Sequence, residues 1–291
     1  MSETGHIVVE ARVFGDVVGR RPLGVEHELG EHPLLTLDAL AELADELPLA
    51  AVERHRADLP LLSPGGAPDL DGRPSDTVRT IESNGCWMVL WHIEQSERYE
   101  RLLDECLDPL AAFLPPSHGD MRQREAFVFI SAPAALTPLH FDPEHNFLLQ
   151  IKGLKTMHVC EFPDDEWRER ELTRYYAGGH RNLEARTPEL EAFELVRGRG
   201  VYVPPFAPHW VQNGPEASVS LSITFRTRAS QRDEYVRVFN GRLRRLGLHP
   251  VSPGRRALRD RVKAETVRLW REAGRVRARG AHADDAAAIR S

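Results

Sequence analysis

Between Ala126 and Phe225 the sequence is a succession of short apolar and β-branched runs cut by Gly and Pro. Phe127–Ile130, Leu136–Met157, His158–Phe162, Phe193–Val196, Val201–Val203, Trp210–Gln212 and Ser218–Phe225 all have strand composition. No helical pattern alternates with them, so the series predicts a sandwich or barrel and not repeated βαβ units. A polar, charged insertion from 163 to about 188 interrupts it.

Flanking segments read differently. Ile7–Val13 is strand-like, and Leu61–Ser75 is a Pro/Gly-rich loop. Leu37, Leu40, Leu43, Ala44 and Leu47 recur at helical spacing, with Thr36 as N-cap and Pro48 as stop. Gly85–His92 is a buried strand or the start of a helix. Tyr99, Leu102, Leu103, Cys106, Leu107 and Leu110 form one helical face before Pro115-Pro116. Gln231–Leu246 and Leu258–Val276 are further helices, and Gly280–Ser291 reads as a frayed end. The expected class is mainly β with helical additions. Residues 1–120 form a helical or mixed region packing on the barrel, 121–230 the barrel, and 231–291 a helical region with a frayed tail.

Composition adds limits. No apolar run approaches the ~20 residues of a membrane span, and MSETGHIVVEARVFGD lacks the pattern of a secretory signal. Cys86, Cys106 and Cys160 are scattered and odd in number, which fits a reducing cytoplasm. The net charge of -6 hides an asymmetry: residues 226–291 carry 18 Lys+Arg against 7 Asp+Glu. Such a segment is more readily a solvated or docked helix face than a nucleic-acid site, and it leaves nucleic acid open. Of the basic residues 35 are Arg and 3 are Lys, and two of those lysines, Lys152 and Lys155, fall in one strand run.

That run, Leu136–Met157, holds the candidate site. His140-Phe141-Asp142 places two metal ligands at i and i+2, on one face of a strand, and Asn146 shares their parity. The triplet alone is weak, because His118-Gly119-Asp120 and His282-Ala283-Asp284 repeat it in a turn and in the tail. A 2-His-1-carboxylate site needs a third ligand. His209, 69 residues downstream after Pro204-Pro205, is the best candidate, on a strand expected to lie opposite the first. His145 has the wrong parity, His158 reads as a strand residue, and His180 is in the insertion.

Thr137-Pro138-x-His140-x-Asp142, Asn146-Phe147, Gln150-Ile151-Lys152-Gly153, Lys155, Tyr202-Val203-Pro204 to His209, and Ser222-Ile223-Thr224-Phe225 together carry a resemblance. Residues ~126–226 resemble the cupin-like branch of the jumonji-C (JmjC) Fe(II)/2-oxoglutarate oxygenases, in particular its asparaginyl hydroxylases. The resemblance implies a double-stranded β-helix (jelly-roll) core. It implies His140, Asp142 and His209 as iron ligands, and Thr137 and Lys155 on the distal carboxylate of 2-oxoglutarate. Asn146 would lie near the keto-acid end, with Thr224 where the family has Asn. Arg199-Gly200 replaces the family's Gly-Asp, and no counterpart of its upstream carboxylate-binding tyrosine is found around Gly85–His92.

The implied activity is O2-dependent hydroxylation of a side chain in a peptide or protein, with homodimerisation through the C-terminal helices. The alternatives are an oxygenase acting on a small molecule or tRNA, a non-catalytic regulatory metal cupin, and a cupin isomerase or oxidoreductase without 2-oxoglutarate. Lys155 and Thr137 separate these, since only a 2-oxoglutarate enzyme needs a carboxylate-binding pair beside the metal. Methyl-lysine demethylation is disfavoured, because no aromatic cage is visible along the chain.

Overall fold

The computed structural model describes residues 5–56, 72–184 and 187–288, with side chains to 273. Most of the loop expected at Leu61–Ser75 lies outside the described residues. The chain divides into two compact units, Met1–Pro163 with Arg181–Arg228, and Asp164–His180 with Ala229–Ser291.

The first unit contains β1 (Ile7–Val8), α1 (Ala11–Val17), β2 (Leu23–His27), α2 (Leu37–Glu46), β3 (Val52–Arg56) and α3 (Pro74–Arg79). β4 (Cys86–Leu90), α4 (Glu97–Ala111), β5 (Met121–Ser131), β6 (Leu136–His140), β7 (His145–Lys152) and β8 (Lys155–Cys160) follow. The second unit contributes α5 (Asp165–Tyr176). The first then resumes with β9 (Glu189–Leu195), β10 (Arg199–Val203), β11 (His209–Asn213) and β12 (Ser218–Thr227). α6 (Arg228–Arg245) and α7 (Ala257–Ala288) close the chain.

Among the described residues the strands form two antiparallel sheets. The larger has the order β1-β2-β10-β7-β12-β5-β4-β3, and the smaller β6-β11-β8-β9. This is the double-stranded β-helix core that the sequence implied, with strands before residue 120 widening the larger sheet.

Period-two alternation fixes which face each strand buries. On β12, Val219, Leu221, Ile223 and Phe225 pack into the main apolar core with Phe147, Leu149 and Ile151 of β7. Phe14 of α1, Leu40 and Leu43 of α2, and Leu103 and Leu107 of α4 join them there. The intervening Ser218, Ser220, Ser222 and Thr224 are buried too. Two of these serines meet polar partners: Ser220 Oγ donates to Gln150 Oε1 at 2.6 Å and Ser222 Oγ to Asn146 Oδ1 at 2.9 Å. A second core of Leu148, Met157, Val159, Leu195, Val201, Val203 and Val211 draws on strands of both sheets. The barrel interior is therefore polar on one stretch of β7 and β12 and apolar around it.

Helix α2 begins as expected, with Thr36 Oγ1 accepting from the Ala39 N–H at 3.2 Å. The Gly85–His92 run resolves as a fully buried strand, β4. Ile7–Val13 is only briefly a strand. The chain turns helical at Ala11 so that Phe14 and Val17 reach the core, and tertiary packing overrides the β-branched bias. The polar, charged insertion contains α5, whose N-cap Asp164 accepts from the Trp167 N–H at 2.7 Å.

In the second unit Tyr235, Val236, Ala264 and Val267 form a small core. Arg237, buried there, is bonded to Asp233 at 2.8 Å and to Glu169 at 2.9 Å.

Candidate metal centre

Strands β6 and β11 are hydrogen-bonded neighbours, and His140 and His209 pair directly across that ladder. The sequence placed these strands opposite one another; adjacency brings the two rings closer, with centroids 4.2 Å apart. Asp142 does not continue the strand as expected. β6 ends at His140, and Phe141, buried against Phe162 and Phe206, takes the chain into a turn before Pro143. The Phe206 N–H donates to the Asp142 carbonyl at 2.6 Å, tying this turn to the Pro204-Pro205 loop that precedes His209.

The geometry nonetheless converges. Asp142 Oδ2 lies 3.7 Å from His140 Nε2 and 3.5 Å from His209 Nε2. Among the described residues these three are the one group of three or more His, Cys, Asp or Glu side chains able to hold a metal ion, with ligand atoms within 4.8 Å of one another. His140 Nδ1 donates to the Pro138 carbonyl at 2.8 Å, and His209 Nδ1 to the Ala207 carbonyl at 2.9 Å. Those bonds fix both tautomers with Nε2 lone pairs facing the cluster. Burial, with His209 and Arg181 nearby, holds His140 down to about 3, so it is a neutral donor. Burial would raise Asp142, but Arg181 and the two imidazoles outweigh it and keep the carboxylate ionised. Arg181 Nη1 bonds Asp142 Oδ1, leaving Oδ2 turned to the imidazoles.

The cluster opens on a cavity of about 260 Å³ lined by Thr137, Asn146, Lys155, Asn213 and Thr224 as well as the triad. Lys155 is 4% exposed and, among the described residues, its ammonium has no hydrogen-bond or ion-pair partner. Burial alone pushes it down to about 7. Asn213 stands opposite Lys155 in the β8–β11 ladder, and its Nδ2 is buried without a partner. Thr224 pairs with Asn146 between β12 and β7, and its Oγ1 is likewise unbonded. A cavity with one uncompensated cation and unfilled polar groups fits an anionic ligand beside a metal.

The three other histidines weighed as ligands, His145, His158 and His180, lie outside the cluster. His145 faces the main core, stacked on Phe225 at 4.7 Å, with Nδ1 bonded to the Tyr202 hydroxyl at 2.7 Å. His158 stacks on Trp210 at 3.8 Å and pairs with Glu189. His180 is exposed. The decoy His118-Gly119-Asp120 sits in a turn whose Asp120 pairs with Arg122 and Arg228. The second decoy, at 282–284, lies beyond the residues with described side chains.

Six residues of the cavity carry no functional signal in the sequence. Asn213 gave no signal beyond its polarity, and Arg181 lies one position from the histidine that was considered. The upstream contribution to the cavity comes from Trp91 and His92, just past β4 and where a tyrosine was sought. Phe127 and Phe129 of β5 add an aromatic wall, so aromatic side chains invisible as a group along the chain meet in space.

No family model matches the chain, and no curated protein matches it by sequence. Solved structures do. An X-ray structure of Escherichia coli YcfD aligns at a TM-score of 0.51 with 16% identity, covering 91% of this chain and 68% of that one. The chain shares the fold of YcfD. A structure described as the Escherichia coli ribosomal oxygenase YcfD gives a TM-score of 0.51 at 15% identity, covering 91% and 67%. YcfD in complex with cobalt and 2-oxoglutarate gives 0.50 at 16%, with the same coverage.

Proposed function

We propose that the chain is an Fe(II)- and 2-oxoglutarate-dependent dioxygenase that hydroxylates a side chain of a peptide or protein substrate. The observation that carries this is a two-histidine, one-carboxylate cluster sharing one cavity with a buried lysine that lacks a counter-charge. The fold shared with a ribosomal oxygenase solved with cobalt and 2-oxoglutarate supports it. The description of YcfD as a ribosomal oxygenase supports a protein substrate here.

Each residue has a task in this reading. His140, Asp142 and His209 would hold the iron through Nε2, Oδ2 and Nε2. Bound there with 2-oxoglutarate and O2, iron supplies oxidation of an unactivated C–H bond, with succinate and CO2 as co-products. Lys155 neutralises the distal carboxylate, Thr137 supplies a hydroxyl to it, and Asn213 adds an amide donor. Asn146, held by Ser222, and Thr224 serve the keto-acid end. Phe129, Leu148, Met157 and Val211 make the cavity wall apolar and keep water from the reacting centre. Trp91, His92 and Phe127 line the part of the cavity left to the substrate.

We infer a homodimer formed through α7, on which Leu258, Val262 and Leu269 are exposed along one stripe. The three cysteines are free and buried, which favours a reducing, cytoplasmic setting. No helix among the described residues is long and apolar enough to cross a membrane.

Anaerobic addition of Fe(II) and 2-oxoglutarate tests the assignment. A weak visible charge-transfer band is expected, lost in His140→Ala and Asp142→Ala. A wild-type protein that gives no band and binds no 2-oxoglutarate rules the assignment out. Turnover with candidate peptides, read as a +16 Da product, then identifies the substrate.

A further inference from the structure

Arginines of the barrel unit meet acids: Arg124 bridges Asp104 and Asp108, Arg226 pairs with Glu144, and Arg228 with Asp120. The end of the α6–α7 hairpin is different. Residues 242–263 contain eight Lys or Arg and a single acid, Asp260. That acid is buried and accepts the Gly254 N–H at 2.8 Å, so it is turned inward.

Chain reversal gathers these cations. Asn240 Nδ2 donates to the Val251 carbonyl at 3.0 Å, Lys263 Nζ to Asn240 Oδ1 at 2.7 Å, and Arg244 Nη2 to the Pro250 carbonyl at 3.4 Å. Arg255, Arg256, Arg259 and Arg261 are exposed and, among the described residues, have no ion-pair or hydrogen-bond partner. Lys263, beside Arg259, has a lowered pKa. Burial lowers it, Arg259 and Arg244 lower it further, and Asp260 opposes them. On α7, Arg259, Lys263 and Trp270 fall on one stripe at i, i+4 and i+11. The Arg242 guanidinium lies over the Trp270 ring at 4.5 Å, and that tryptophan is 44% exposed.

We propose that this hairpin end is an RNA-docking surface. It takes the phosphodiester backbone of a single-stranded segment on Arg255, Arg256 and Arg259 and a base against the Arg242–Trp270 stack. Guanidinium forks match phosphate oxygens, and bases stack on aromatic rings and on guanidinium planes alike. Clustering uncompensated arginines costs folding energy through repulsion, and a polyanion offsets that cost. An anionic bilayer is a poorer partner. The exposed Leu258, Val262 and Leu269 that would insert lie about 100° around the helix from the Arg259–Trp270 stripe. Duplex DNA is poorer too, because its paired and stacked bases offer no free face to the Arg242–Trp270 stack.

Fluorescence anisotropy with a labelled single-stranded RNA of about 20 nucleotides, titrated with the full chain at several salt concentrations, tests this. Wild type should bind with an affinity that falls steeply with salt. Arg255→Gln/Arg256→Gln/Arg259→Gln should weaken binding roughly tenfold or more and reduce the log–log salt slope by about 2, as expected for three lost phosphate contacts. Because these side chains have no partners, the triple variant should keep the wild-type circular dichroism spectrum. A control triple, Arg12→Gln/Arg79→Gln/Arg101→Gln, removes the same charge from the barrel unit and should leave binding within about twofold. The proposal is overturned by absent RNA binding, by equal weakening in both triples, or by equal affinity for duplex DNA. Capture by phosphatidylglycerol vesicles without RNA binding overturns it as well.

Discussion

Lys155 and Asn213 face each other directly across the β8–β11 ladder, both buried, and neither the ammonium nor the amide nitrogen has a protein partner among the described residues. A cation and an amide donor left unsatisfied side by side cost stability, which is sensible only where a carboxylate arrives to meet them. Lys155→Met is therefore expected to cut 2-oxoglutarate affinity by roughly 100-fold or more while stabilising the cofactor-free fold by roughly 2–4 kcal/mol. Asn213→Leu should weaken the same binding about tenfold, the worth of one hydrogen bond to a charged group. Calorimetric titration and urea unfolding measure both; a Lys155→Met protein with wild-type 2-oxoglutarate affinity would remove the lysine from the site.

The pH dependence of the two properties should run in opposite senses. Burial places Lys155 at about 7 in the fold against 10.5 for an unhindered lysine. Between those values the unfolded chain binds more protons, so stability of the cofactor-free protein rises with pH across that window. Binding of 2-oxoglutarate needs the ammonium. Below about 7 it is already present, and above that the complex must take up a proton, so affinity falls toward tenfold per pH unit. Titrations at pH 6.5, 7.5 and 8.5 (approximate settings chosen around the lysine value) read this directly, and flat affinity would contradict the assignment of Lys155.

Arg181 occupies the oxygen of Asp142 that points away from the imidazoles. Replacing it with Gln should lower affinity for Co(II) or Mn(II) by roughly 10–100-fold, because the carboxylate loses the group that orients it. Competition with a coloured chelator provides the measurement. Unchanged affinity would mean that the turn alone positions Asp142.

Gly153 turns β7 into β8 with φ +74, and a Cβ there would stand 2.4 Å from the Ala217 carbonyl oxygen. Gly153→Ala should destabilise the protein by about 2 kcal/mol or more. The same substitution should weaken 2-oxoglutarate binding, since Lys155 begins the strand that follows. A neutral result in thermal unfolding would show that the turn relaxes freely.

On α7, Leu258 is 79% and Leu269 55% exposed, on the side opposite the buried Ala264 and Val267. Leu258→Glu/Leu269→Glu should convert the inferred dimer to a monomer in sedimentation velocity without loss of helicity. A wild-type protein that sediments as a monomer at tens of micromolar (~50 μM, the range in which such apolar contacts associate) would refute the dimer.

Much of the barrel could be read along the chain because β12 alternates without a break. The SVSLSITF run sends each apolar residue to the core and each polar one inward, and period two is legible in a single strand. The positions of His140, His209 and Lys155 are legible for a related reason, since each sits at a strand end close to Pro or Gly. Asp142 joins the cluster from a turn and not from the strand that its i+2 spacing implies. Asn213, Arg181 and Trp91 were silent because their positions follow from ladder register and from a bridge between distant segments, which local pattern does not encode. Helix α1 was misread because its β-branched residues describe a local preference, while Phe14 and Val17 answer to the core.

Strand β6 is the outermost of its sheet, and among the described residues its outer side meets the short stretch around Asn182, through the His140–Asn182 bridge and the Leu183 N–H to Leu139 carbonyl bond of 3.0 Å. An ion held by His140 on β6 and His209 on β11 would close a ring across the β6–β11 ladder, on the other side of β6. Its dissociation rate would then report how often the end of one strand frays, and amide exchange at Leu139 and His140 would slow in step with the lifetime of the bound metal.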